Sequence, residues 1–146
     1  MPMLIPNDGE VQLLTDVLSS GENWILKLFT SNTTPAEGDT PAAYTIATGA
    51  WYSDRTLTRS VSGSTWSTPA SGSPTSSWSS EASAAEAAYN AASPLSWTVS
   101  GSAATIYGYV IVGATSGKLI AAERFAAART LQVGEELTLV PRFGFA

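Results

Sequence analysis

Apolar and polar positions along this chain alternate far more often than they follow a helical period. Residues 107–112, Tyr-Gly-Tyr-Val-Ile-Val, and 119–125, Leu-Ile-Ala-Ala-Glu-Arg-Phe, are two strand-like runs. The connection Gly113-Ala114-Thr115-Ser116-Gly117-Lys118 between them predicts a β-hairpin. Residues 23–30 predict a further strand, with Trp24, Leu26 and Leu28 on one face and Ile25, Lys27 and Phe29 on the other. Both faces are largely apolar, the pattern of a strand covered on both sides. Shorter strands are expected at 44–47, 56–61 and 95–99, and a final one over 136–145, where Pro141 marks a sheet edge or bulge. Residues 126–130 read as a link and 133–135 as a turn.

The helical period occurs over residues 7–20, where Val11, Leu14 and Leu18 form an i, i+3, i+7 stripe flanked by Leu13 and Val17. Asn7 and Glu10 have capping-box spacing, with Asn in place of Ser or Thr, and Gly21 is placed as the residue after the helix. Ahead of it, residues 1–6 read as an extended arm, because Pro2 and Pro6 disfavour helix in the residues before them. Met3, Leu4 and Ile5 make the arm apolar, so it is expected to lie on its own domain or on a neighbouring subunit. Residues 62–80 are rich in Ser, Thr, Gly and Pro and read as an exposed loop. Residues 80–92 turn Ala-rich, and the helix propensity of Ala predicts a short helix there, given a surface to pack on. Residues 62–93 are taken together as a Ser/Ala-rich insertion. The whole chain, 1–146, is expected to be a single mainly β domain: an antiparallel β-sandwich or open barrel of about seven to eight strands with one N-terminal amphipathic helix.

Composition narrows the chemistry. The 146 residues include no Cys and no His. Disulfides, thiol catalysis, Ser-His-Asp chemistry and most transition-metal sites are thereby removed. The net charge is −5, and the seven Lys and Arg are scattered from Lys27 to Arg142. Phosphate-backbone binding needs them clustered, so no nucleic-acid partner is expected. No apolar run approaches the ~18 residues of a membrane span, and the N-terminus lacks the basic and apolar regions of a signal peptide. The expectation is a soluble protein made in the cytosol, with no membrane partner.

Paired carboxylates are the remaining catalytic device. Asp8 with Glu10 belongs to a helix N-terminus, where acids complement the dipole. Glu37 with Asp39 lies in a loop that lacks the oxygen-ligand series of a Ca²⁺ site. Glu135 with Glu136 flanks a turn. None points to glycoside hydrolysis, which needs two carboxyls held across a cleft. The expectation is therefore no enzyme activity, no catalytic residue, no metal and no cofactor.

Five Trp invite a carbohydrate-binding reading. Trp24, Trp51 and Trp97 lie in strand-like sequence and are expected to fill the core or an interface. Trp66 and Trp78 lie in polar sequence, so each is expected to pack back on the domain or to contact a neighbouring chain. Glu123 and Arg124 alternate across a strand and face opposite ways, each available for a cross-strand or intersubunit pair.

Read end to end, the chain resembles a family of small tailed-bacteriophage structural proteins found in marine and cyanobacterial phages. The pieces that carry the resemblance are Ile5-Pro6-Asn7-Asp8-Gly9-Glu10 with Leu13-Leu14, and Leu26-Lys27-Leu28-Phe29-Thr30-Ser31-Asn32 with Thr34-Pro35-Ala36-Glu37. Further on come Ala43-Tyr44-Thr45, Trp66-Ser67, Thr105-Ile106-Tyr107-Gly108-Tyr109 and Ala122-Glu123-Arg124-Phe125. The chain departs from the family by a longer Ser/Ala-rich insert at about residues 71–86. The resemblance implies a virion component without a catalytic site, made in the host cytoplasm. A capsid decoration (cement) protein that binds the major capsid protein is the reading preferred here. A tail, neck or fibre component with a receptor- or carbohydrate-binding role is the alternative. A homo-oligomer, a trimer by analogy with the local threefold positions of shells, is expected. The candidate partner-binding residues are Met3, Leu4, Ile5, Asn7, Trp66, Trp78, Glu123 and Arg124.

Overall fold

A computed structural model describes residues 5–62, 64–72, 84–90 and 92–145. The protein is mainly β, with one N-terminal helix and several antiparallel sheets, as expected for a β-sandwich or open barrel. The described residues carry nine strands and fall into two compact units. No helix among them is long and apolar enough to cross a membrane.

One unit comprises Glu22–Leu57 and Leu95–Leu139. Its main sheet runs β2 (Arg55–Leu57), β1 (Trp24–Phe29), β6 (Ala104–Gly113) and β7 (Leu119–Leu131), all antiparallel. β1 pairs with β6 from Trp24↔Gly113 to Phe29↔Gly108, which puts Ile25, Phe29, Val110 and Val112 on one face. Phe29, Val110, Val112 and Tyr44 form a buried cluster there, with Ile25, Ile46 and Leu119 packed against it. The segment before and after Tyr44 closes that face. Thr30 donates to the Thr45 carbonyl at 2.8 Å and Ala47 to the Leu28 carbonyl at 2.9 Å, so the strand expected at 44–47 is reduced to a single bridge between Ile46 and Phe29. Pro41–Ala43 ahead of it is a 3-10 turn instead.

A second, two-stranded sheet pairs β5 (Leu95–Thr98) with β8 (Glu136–Leu139). Trp97 is buried and donates its indole N–H to the Ser53 carbonyl at 2.8 Å, beneath the Arg55 guanidinium 5.1 Å from its ring centroid. Arg55 also donates to the Ser96 carbonyl at 2.5 Å, which ties β2 to β5.

The other unit comprises Met1–Gly21, Thr58–Pro94 and Val140–Ala146. Its helix α1 (Asn7–Ser19) buries Leu14 and Leu18 and packs on β4 (Ala84–Ala88), which is flanked by β3 (Ala70–Gly72) and β9 (Arg142–Phe145). The Ala-rich segment expected to be helical is thus strand β4 where it is described. Its alanines are buried on both faces, and the ladder with β3 and β9 outweighs helix propensity, a weak prior of under ~1 kcal/mol per residue. Two other expectations are corrected. Residues 126–130 belong to β7, not to a link. The single strand expected over 136–145 divides at Val140-Pro141 into β8 and β9, one in each unit. Pro141 has no N–H to give a ladder, and its carbonyl accepts from Tyr89 N at 2.8 Å.

Arg59 closes the end of α1. The helix has no basic residue in its last turn, and Arg59 donates to the Val17 carbonyl from Nε at 2.7 Å and from a second guanidinium nitrogen. Gly21 follows at φ +96°, as its expected place after the helix requires.

Candidate functional site

The β6–β7 hairpin organises the surface of the sheet unit. Its turn, residues 113–118, closes with Gly113 N to the Lys118 carbonyl and Gly117 N to the Gly113 carbonyl, both at 2.9 Å. The Glu22 carboxylate accepts from the N–H of Thr115, and from the N–H of Ser116 at 2.8 Å, and so fastens the turn to the start of β1. Nothing local in the sequence marks Glu22 for this role, because its partners lie on the far side of the chain.

Glu123 and Arg124 point to opposite faces, and both find partners within the chain. Glu123 stands directly across from Tyr109 and accepts a hydrogen bond from its hydroxyl. Burial, and then this carboxylate, push the Tyr109 phenol well above its ordinary range. Arg124 donates to Thr34 Oγ1 at 2.7 Å and to Asn32 Oδ1 at 2.5 Å, which ties β7 to the loop that covers the core cluster. In that loop Asp39 accepts from Tyr44 Oη at 2.7 Å and from Ala36 N at 2.9 Å. The Tyr44 hydroxyl and then the Ala36 amide hold the Asp39 carboxyl below its usual range. Burial and Asp39 push Tyr44 up to about 12. One carboxylate of the Glu37/Asp39 pair is therefore engaged by its own loop. Among the described residues no three of His, Cys, Asp and Glu come together as a metal site.

β7 is the edge of the four-stranded sheet, and β8 pairs only with β5. Residues 132–135 connect β7 to β8 in a tight turn, with Glu135 N bonded to the Gln132 carbonyl at 3.0 Å and Gly134 at φ +91°. Two strands joined by so short a turn would ordinarily pair. Here each has taken a different partner, and a groove of about 660 Å³ opens between them. Phe125, Ala127, Arg129 and Leu131 line one side of it and Glu136 and Leu139 the other. Glu123 reaches its far end. A smaller groove of about 370 Å³ lies where Pro35 to Asp39 face the beginning of β7.

Comparison with protein-family models, curated proteins and solved structures finds no match.

Of the residues singled out from sequence, Glu123 lines the large groove, and Arg124 anchors a loop. Met3, Leu4 and Trp78 lie outside the described residues. Ile5 is exposed, at 46%. Asn7 is the first residue of α1 and not its cap. Pro6 takes the cap position and makes no side-chain bond, so the Asn7/Glu10 capping box does not form. Trp66 is fully buried, edge-on to Tyr89 with ring centroids 5.2 Å apart, and it bridges Val61 and Tyr89. It is core and presents no face to a partner: of its two expected roles it packs back on the domain, and its place among the candidate partner-binding residues is corrected. The sequence missed Phe125, Arg129, Leu131 and Leu139 as groove residues. For the first three the signal is the run from Phe125 to Leu131, whose small residues 126–130 read in the sequence as a link.

Proposed function

We propose that this protein is a structural component of a tailed-bacteriophage virion, a capsid decoration (cement) protein that stabilises the head by binding the major capsid protein. The observation that carries the reading is the open edge of β7. A strand of 13 residues with a ladder partner on one side only is a template for pairing with another chain, and most proteins blunt such an edge. In a decoration protein the edge has a use, since such proteins act by burying surface across capsomer junctions, and whatever binds only the assembled shell stabilises it. The sequence resemblance, the acidic composition and the exposed apolar side chains of Ile5, Leu13, Ile120 and Val133 support the same reading. It gives the protein a homo-oligomeric state, a structural and not a catalytic role, and residence in the virion after synthesis in the host cytoplasm.

Co-sedimentation of the purified protein with empty shells of the major capsid protein tests the reading. Saturation at a fixed ratio to the capsid subunit is expected. Protein that stays in the supernatant at every concentration contradicts it.

A further inference from the structure

β7 has a ladder partner on one side only, β6. The β7 residues that line the groove include Glu123, Phe125, Ala127, Arg129 and Leu131, which are alternate positions. Alternate residues share a face, so β8 lies across one face of β7 and not in line with its edge. Glu123 and Arg129 keep to that face although the ladder slips between them, from Gly108↔Arg124 to Ile106↔Arg129. Tyr107 explains how. It packs with the Phe29–Val110 cluster, whereas strict alternation from Val110 through Tyr109 would put it on the other side. The slip in β6 therefore returns Ile106, and Arg129 opposite it, to the side of Tyr109 and Glu123.

This face of β7 carries two charges without a counter-charge. Among the described residues neither Glu123 nor Arg129 has an ion-pair partner, and Arg129 makes no hydrogen bond. Glu123 binds the Tyr109 hydroxyl through Oε2 alone. The strand is its own complement when read backwards. Two edge strands related by a two-fold axis run antiparallel, with the same patch on both copies. With the axis at Ala126, Glu123 of each copy stands opposite Arg129 of the other. Phe125 then meets Ala127, Leu131 meets Ala121, and Arg124 meets Ala128, so each large side chain faces a small one. The other register that joins opposite charges would set Glu123 against Arg124. Arg124 is already held by Thr34 and Asn32 of its own chain.

We propose that β7 pairs antiparallel with β7 of a second copy about a two-fold axis at Ala126, which joins the two four-stranded sheets edge to edge. Main-chain hydrogen bonds along the edge supply affinity, and the two Glu123–Arg129 pairs fix the register. A two-fold pair takes the place of the trimer expected from shell symmetry. The inference stands apart from the decoration reading: a chain that pairs in solution and ignores shells keeps the one and loses the other.

Sedimentation equilibrium of the full-length protein, without shells, should give twice the chain mass of 15.2 kDa. Glu123→Arg and Arg129→Glu should each raise the dimer dissociation constant roughly tenfold, since like charges then stand opposite at both symmetric places. An equimolar mixture of the two variants sets opposite charges together again, and so does the double variant E123R/R129E. Both should regain the wild-type affinity, a rescue that a merely structural role for either residue would not give. The chain has no Cys, so Ala126→Cys introduces a lone thiol. It faces its own copy across the axis and should form a disulfide-linked dimer on oxidation, which needs Cα atoms within about 7 Å. Thr130→Cys, roughly 27 Å from its counterpart in this register by the rise of a strand, should not. Wild-type protein at monomer mass at every concentration overturns the inference. So does a mixture as weak as its parents, or equal cross-linking at the two positions, with wild-type circular dichroism spectra throughout.

Discussion

Gly108 lies where β6 comes closest to its surroundings. A Cβ at this position would sit 2.0 Å from the Glu123 carbonyl oxygen and 2.7 Å from the Phe29 ring. Backbone cannot yield as a flexible side chain can, so Gly108→Ala should destabilise the protein by about 1–3 kcal/mol. A lower denaturant midpoint at unchanged slope would register it. Arg59→Ala should cost about 1 kcal/mol in the same measurement, because the Val17 carbonyl loses its charged donor at the end of α1. The Tyr44–Asp39 pair makes stability depend on pH at both ends. Tyr44 is raised in the fold to about 12, so the fold prefers the neutral phenol. That contribution is complete below the ordinary tyrosine value of 10.0 and is lost as pH rises from there through about 12. Asp39 is lowered in the fold, so its contribution is complete above its ordinary 3.8 and is lost as pH falls below that value. Tyr44→Phe should make both limbs of a stability–pH curve shallower. The alkaline limb will not vanish, since Tyr52 and Tyr109 are also raised. Unchanged limbs would contradict the assignment.

At the scale of elements, Trp66 holds its segment in place. Its ring is fully buried against Tyr89, whose hydroxyl accepts from Thr58 N at 3.2 Å. Trp66→Ala should cost about 3–5 kcal/mol, seen as a lower melting temperature and loss of the aromatic circular dichroism signal. The hairpin, β1 and α1 were legible in the sequence because each carries its own period over a run bounded by Gly or polar residues. The Ala run was misread because alanine has no side chain to mark a face, and only the ladder with β3 and β9 decides its state. The burial of Trp66 was half legible: a Trp in polar sequence had to pack back or meet a neighbour, but its partner Tyr89 lies across a Ser-rich stretch with no period. The division at Pro141 was half legible. The missing N–H argued for a break, but not that the halves would join different sheets. The groove was missed for a related reason, since sequence showed that 133–135 turns but not that the strands on either side would pair elsewhere.

In the sheet unit the longest strand, β7, is an edge strand with a ladder partner on one side only. A protein that decorates a shell must be present in proportion to the lattice it covers. Quantitative mass spectrometry of purified virions measures this directly. A copy number in fixed stoichiometric ratio to the major capsid protein, matching a repeated lattice position, is the predicted result. A handful of copies per particle, or none, would contradict it.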